Sequence, residues 1–431
     1  MFRSAKPLNK LADSNEMIQN ILYKQKSFPS LSSNLESFNP VRSPWAFLRS
    51  WRQETIIRRE QSYYETLAKQ RGLLVPTEAS LSEALAKRLA HRRVNLIGLK
   101  KGEIHTFYCG GLDIWEEHNS LAAVKLFGPV SEFHVRQRGY RPYTPHWLND
   151  RKRFNCELLE HIKAIHQRSP IHLFFTCAAG YTFFAKTIEA INRLGIITCG
   201  YHMDDRLYFR GQRFDGLRTG PAAVAASFDL CLTNSMASRI KYVVEGGRPL
   251  FWPAGANPEI FKPLKLTRKF EVSFVGSGYG QRAAWILWLR QKGVKVTAFG
   301  PGWPGGELST KEMVEIYARS HICLGFSGIG YSMREFCLKG RDFEVPMSGA
   351  VYLTCEQPDL HRVYKVGQEV LTYDSREQCL ERIRRLLKNP NQSEQIRKAA
   401  LTRSLREHTW EQRFDKLFRI IGVYEEDKHG S

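Results

Sequence analysis

From about residue 94 onward, short apolar runs alternate with amphipathic stretches, and the alternation has two rounds. In the first, "IHTFYCGG" reads as a strand running into a glycine turn, "SLAAVKLFG" and "CELLEHIKAIHQ" as helices, and "IHLFFTCAAG" as a buried strand. "FFAKTIEAINRLG" follows as a helix ended by Gly195, then come the strands "IITCGYHMDD" and "FDLCLTN" and the helix "SMASRIKYVVEGG". The Pro-rich "WPAGANPEIFKPLKLTRK" breaks the pattern and reads as a linker. In the second round "FEVSFVGSG" is a strand and glycine turn, "QRAAWILWLRQKG" a helix, "VKVTAFG" a strand, "STKEMVEIYARS" a helix and "HICLGFSG" a strand. The helix-to-strand segment "KGRDFEVPMSGAVYLT", the helix "SREQCLERIRRLLKNP" and closing helices to about Val423 complete it. Strand–helix alternation predicts parallel sheets covered on both faces. Two such domains joined near residue 260 leave a cleft, with ligands at the carboxyl ends of the strands.

The first 95 residues have another texture. Residues 1 to about 43 are polar and rich in Ser and Asn, and read as loosely ordered. From Pro44 to Leu74 the chain predicts one long basic helix whose apolar side is Leu48, Trp51, Ile56, Tyr63, Tyr64 and Leu67. A second helix, "SLSEALAKRLAHRR", offers a capping box at Ser80 and Glu83 and shares Leu81, Leu85 and Leu89 on one face. This pair either lies on an anionic lipid surface or packs as a hairpin on the body or on a second subunit, and docking is the commoner fate of such helices.

Length changes the picture little, since 431 residues already ask for more than one core. With 42% hydrophobic and 25% charged residues the composition is globular. The longest apolar run, Ile171 to Ala185, is stopped by Lys186, short of the ~18 residues of a membrane span. No apolar region with a small-residue cleavage site opens the chain, so no signal peptide is expected. The nine cysteines are scattered without a C-x-x-C pair, which argues against zinc and for reduced thiols in a cytosol. The net charge of +21 favours phosphate-bearing ligands, anionic surfaces or nucleic acid, with plain solubility as the other explanation.

Four constellations could carry chemistry. "FVGSGYGQR" puts Gly276, Ser277, Gly278 and Gly280 between a strand and a helix opening at Arg282. Such a turn suits an anion, with Arg282 adding a charged fork, or it is a plain strand–turn–helix link. It is no dinucleotide fingerprint, because Gln281 stands at the third glycine position and the next strand ends without an acidic residue. Second, Arg341 and Glu344 share a helix face, either to hold a diphosphate and a ribose diol or as a surface ion pair. They follow "HICLGFSG", with Phe326, so both features would line one sheet edge. Third, His202, Asp204 and Asp205 end a buried strand, as a base or sugar-binding group, or as turn caps. Fourth, Gly111 and Asp113 follow the first strand, where they could admit an acceptor or make a tight turn.

The order of these features resembles a GT-B glycosyltransferase. The second half is similar to the spore-maturation CgeB-like glycosyltransferases, related to glycosyltransferase family 4, through "VSFVGSGYGQR", "VKVTAFGPGW", "KGRDFEVPMSGAVYLTCEQPDL", "VGQEVLTYDS" and "LREHTWEQRF". In the first half "GIITCGYHMDD", "FDLCLTNS" and "PAGANPEIFKP" fit the same family, for a coverage of about residues 100 to 420. The resemblance implies an α/β fold of two facing Rossmann-like domains, at 96–262 for the acceptor and 263–406 for the donor. A helical extension to residue 95 would precede them, and a helix from residue 407 would cross back. It implies a nucleotide-diphosphate sugar as donor substrate, UDP-linked first and GDP- or dTDP-linked as alternatives, and no obligatory metal. Donor contacts would be Gly276, Ser277, Gly278, Arg282, Phe326, Arg341 and Glu344. Glu344 lines up with the second glutamate of the retaining E-x7-E motif; the first would fall on Phe336, and Glu335 is one residue off. The catalytic candidates are therefore His202, Asp204 and Glu335, with Gly111 and Asp113 toward the acceptor. His408 and Trp410 are expected to be structural. A cytoplasmic enzyme with an unidentified acceptor is expected, with an anionic membrane surface and a homodimer as the other partners. No specific nucleic acid is expected. The rival is a non-catalytic polyanion or nucleic-acid binder that keeps the same shell, which the charge favours and the absence of RRM, KH or helix-turn-helix signatures opposes.

Overall fold

A computed structural model describes residues 44–423, apart from 95, 97, 112–114, 143, 145–146, 215–216 and 333. The segment 1–43, expected to be loosely ordered, and Asp113 lie outside the described residues. Two helices, α1 (Pro44–Gln70) and α2 (Glu78–His91), precede the first sheet.

The first domain alternates β1 (Thr106–Gly110), α3 (Trp115–Val124), β2 (Val130–His134), α4 (Trp147–Arg168), β3 (Leu173–Cys177), α5 (Ala185–Arg193), β4 (Ile197–His202) and a short α6 (Asp205–Tyr208). A small hairpin, β5 (Arg213–Phe214) and β6 (Leu217–Arg218), leads to β7 (Leu230–Thr233), α7 (Arg239–Val244) and β8 (Pro249–Phe251). Its sheet runs β2-β1-β3-β4-β7-β8, parallel throughout. The second domain has β9 (Phe270–Val275), α8 (Arg282–Gln291), β10 (Val296–Phe299), α9 (Thr310–Ala318), β11 (Ser320–Leu324), α10 (Arg341–Met347), β12 (Tyr352–Cys355), β13 (Leu371–Tyr373), α11 (Arg376–Lys388) and α12 (Pro390–Glu407). Its parallel sheet runs β10-β9-β11-β12-β13. Strand order therefore reverses between β9 and β11, the place where an open parallel sheet leaves a crevice at its carboxyl edge.

The last helix, α13 (Trp410–Ile421), packs on α2 and α3. Its Thr409 cap is a full capping box, and its apolar face seats Trp410 and Phe414 against Trp252, with ring centroids 5.4 Å apart in both pairs. The buried core made by this packing contains residues of both domains. Trp252 donates its indole N–H to the Arg413 carbonyl at 2.8 Å, and Arg413 donates to the Pro253 and Ala254 carbonyls. Trp410 and His408, which contacts the Val363 carbonyl and Arg413, are both buried here.

Three expectations need correction. The second helix is capped by Thr77, which accepts the Ser80 N–H, while Glu83 pairs with Lys87 on the surface, so Ser80 and Glu83 form no capping box. The buried face of α1 is Ile57, Tyr64 and Ala68, whereas Leu48, Trp51, Ile56 and Tyr63 face solvent, Trp51 at 59% exposure. The helix docks through the stripe offset by one residue because that stripe carries the polar partners Glu54, Glu60 and Gln61 as well. The two helices do not form a hairpin: α1 lies on α7 and α2 on α13.

Candidate functional site

The carboxyl edges of the two sheets face each other. Four contacts cross between the domains there: Lys339 Nζ to Asp204 Oδ1 at 3.3 Å, Arg206 to Glu335, the Asn234 amide to the Leu338 carbonyl at 2.9 Å, and the Met236 N–H to Asp359 at 3.2 Å. Both edges expected from the sequence are therefore in one place.

On the second domain, β9 ends in Gly276, whose φ of +151° and surroundings exclude a side chain: a Cβ there would sit 2.5 Å from Arg341 Nη1. Arg341 opens α10 and reaches under this turn, donating to the Val275 carbonyl at 3.0 Å and the Phe326 carbonyl at 3.3 Å. It ties the ends of β9 and β11 together across the switch point. Its Nε is buried without a protein partner. Glu344, one turn along α10, is 4% exposed, so a solvated surface pair is excluded. Its carboxylate lies against Gly340, where a Cβ would meet Oε1 at 2.9 Å.

Arg282 starts α8 and donates to the Ser277 carbonyl and the Tyr279 hydroxyl, both at 2.9 Å, with its guanidinium 4.0 Å from the centre of the Tyr279 ring. Burial pulls its pKa down to about 10, which leaves it fully charged at neutral pH. A buried cation bonded only to neutral acceptors is poised for an anion. The turn itself offers less than expected. The N–H groups of Gly276 and Gly278 donate to Phe299 and Pro301, because the β10 loop folds back on the turn and Trp303 donates to the Gly276 carbonyl. An anion would thus meet the first turn of α8 and Arg282 rather than those two amides. Phe326 is a core ring, 5.0 Å from Phe274, and contributes its carbonyl rather than its face.

On the first domain, β4 delivers His202 and Asp204 to the mouth of the cleft. The Lys339 ammonium holds the Asp204 carboxylate below its usual range. Burial lowers the His202 pKa, so the ring is neutral at pH 7. His202 Nδ1 accepts the Asp204 N–H at 3.2 Å, which places the ring proton on Nε2. Asp205 is fully buried, takes the Tyr242 hydroxyl at 3.0 Å, and has its pKa raised by burial. Gly111, at φ +88°, packs on the His134 ring, which a Cβ would meet at 2.5 Å, so it is a close-packed turn. Glu335 is bound at both oxygens, by Arg58 of α1 at 2.8 Å and by Arg206.

Sequence reasoning missed three groups at this edge. Tyr279 and Tyr331 stack edge-to-face over the turn at 6.3 Å. Gln357, just past β12, is 1% exposed and neither end of its amide has a protein partner. Its place after a buried strand at the same edge was the available signal. Among the described residues no group of three or more His, Cys, Asp or Glu could hold a metal ion. No described helix is long and apolar enough to cross a membrane.

Residues 260–419 match the family model described as Glycosyl transferase-like. No curated protein matches the chain. Among solved structures, a glycosyltransferase from Rickettsia africae superposes with a TM-score of 0.52 at 9% identity, over 74% of this chain and 98% of its own. Sucrose-phosphate synthase from Thermosynechococcus elongatus gives a TM-score of 0.49 at 14% identity over 73% and 98%. HepE from Anabaena, solved with UDP and glucose, gives 0.47 at 12% over 74% and 99%. The fold is GT-B, two facing Rossmann-like domains with a cleft, and the second domain is similar to a glycosyltransferase-like family.

Proposed function

We propose that the protein transfers a sugar from a nucleotide-diphosphate donor held by the second domain to an acceptor on the first. The observation that carries this reading is the family match over residues 260–419, which contains every group gathered at the β9/β11 switch point. Arg282 and the first turn of α8 are assigned to the departing diphosphate, whose growing charge a preorganised cation stabilises. Glu344, at the start of α10, is assigned to the ribose hydroxyls. Arg341 is a positioning residue, since its guanidinium is already engaged by two strand-end carbonyls. If the reaction inverts configuration, Asp204 is the base, ionised beside Lys339; His202, with its proton on Nε2, donates a hydrogen bond instead. No metal is needed in this scheme.

Hydrolysis of UDP-, GDP- and dTDP-sugars by the wild type, Arg282→Ala and Glu344→Gln tests it. The reading expects slow hydrolysis of one donor, depressed at least tenfold by either change. Equal turnover in all three proteins would sink the site assignment.

A further inference from the structure

The loop between β11 and α10 closes over the switch point. Tyr331 lies on Tyr279, and the loop, together with the glycine turn and Arg282, encloses a cavity of about 20 Å³. That is room for one water, whereas small-molecule sites span roughly 300 Å³ or more. A nucleoside diphosphate does not fit beside Arg282 in that cavity unless the loop moves.

Besides the first domain, a helix outside both domains also holds the loop. Gln53 of α1 accepts the Tyr331 N–H at 2.6 Å, and Ser332 donates to Glu54 at 2.9 Å. Arg58 binds Glu335 at 2.8 Å, while Ile57 is buried against Ile329 and Cys337. The fit is close: Gly330 has φ +56°, and a Cβ there would strike Gln53 Oε1 at 2.5 Å. Further along, the same helix is anchored on the first domain, through Glu60 to Lys241 at 2.9 Å and Tyr64 to Glu245. One helix from outside the two α/β domains therefore grips the donor-edge loop with one half and the opposite domain with the other.

We propose that α1 is a latch that keeps this loop closed over the donor edge, and that binding of a nucleoside diphosphate requires α1 to release it. The ligand class rests on the function proposed above; the grip of α1 on the loop does not. A ligand that binds only the open form has its apparent affinity reduced by the open fraction. Loosening the latch must then tighten nucleotide binding, the opposite of what loss of an ordinary supporting contact does.

The test uses the full chain with Arg58→Ala, Gln53→Ala, the conservative Arg58→Lys, and Arg59→Ala on the exposed face as control. Iodoacetamide labelling read by mass spectrometry follows Cys337, buried within the loop, and Cys355, buried beneath it, against the exposed Cys156 and the buried Cys199 and Cys379. Affinity for UDP, GDP and dTDP is measured by calorimetry on the same proteins. Labelling of Cys337 and Cys355 should rise roughly fivefold in the two alanine variants, and UDP Kd should fall by a similar factor. Arg58→Lys should lie between, and Arg59→Ala should match wild type. Unchanged labelling overturns the latch, as does faster labelling of Cys199 and Cys379 in step, which reports general loosening. Faster local labelling with weaker UDP binding overturns it too, since the loop would then be part of the bound site. If local labelling rises and no protein binds UDP, GDP or dTDP, the nucleotide reading falls and the grip of α1 stands.

Discussion

At the carboxyl edge of the first sheet the acidic groups are already committed: Asp204 to Lys339 of the other domain, Asp205 to Tyr242 in full burial. At the facing edge of the second sheet two arginines rest on neutral partners. Arg282 holds a carbonyl and a phenol, and Arg341 holds two carbonyls. A cation held by dipoles keeps its charge available, whereas one held by a carboxylate is neutralised. On the proposed reading the second edge takes the anion, while at the first Lys339 holds Asp204 ionised.

The most damaging break of that contrast is Arg341→Ala. It leaves the Val275 and Phe326 carbonyls without their donor and opens a void beneath Gly276, and should lower stability by about 3 kcal/mol in urea denaturation. A cost below 1 kcal/mol would mean the strand ends do not depend on it.

The next effect lies beneath α10. His408 packs on Phe343 at 5.4 Å, accepts from Arg413 at Nδ1 and donates to the Val363 carbonyl, so it is buried neutral. Burial first, and Arg413 second, bring its pKa from 6.5 to about 4. Above pH 6.5 both folded and unfolded rings are neutral, and the full stability is present. As pH falls from 6.5 toward 4 the unfolded ring protonates and the folded one does not, so stability drops by roughly 1.4 kcal/mol per pH unit from this group. In His408→Gln this part of the slope should disappear; an identical slope would put the acid sensitivity elsewhere.

Arg282→Ala should weaken nucleotide binding roughly tenfold while costing less stability than Arg341→Ala. The smallest effect belongs to the first edge: Asp204 is half exposed, so Asp204→Asn should shift stability by less than about 1 kcal/mol. A larger loss there would erase the contrast between the edges.

Much of this was legible in the sequence because continuous apolar runs ending in glycine are what strands buried on both faces look like. The second glycine turn and the Arg341–Glu344 helix were placed on one edge by strand order alone. Three strands of the two parallel sheets went unseen for physical reasons. β2 is an edge strand with a single buried residue, and β8 and β13 are three residues long, too short to show a period. The roles at the site were harder. That the Gly276 and Gly278 amides are consumed depends on the β10 loop folding back, a contact with no local signature. Glu335 sat near a family position, but its two arginines come from residues 129 and 277 positions away in the chain. Tyr64 was on the expected apolar side and does dock, but Trp51 and Ile56 misled as larger signals than the Ile57 and Ala68 buried with it.

On the proposed reading the second sheet's edge binds a nucleoside diphosphate through Arg282. Thermal denaturation of wild type and Arg282→Ala with UDP, GDP, dTDP and CMP tests it most directly, because a ligand of the native state stabilises by about 2.7 kcal/mol at a hundred times its Kd. The account predicts a saturable rise in the wild-type midpoint with one nucleoside diphosphate, lost or strongly reduced in Arg282→Ala. No rise with any of the four at millimolar concentration, or an equal rise in both proteins, would contradict it.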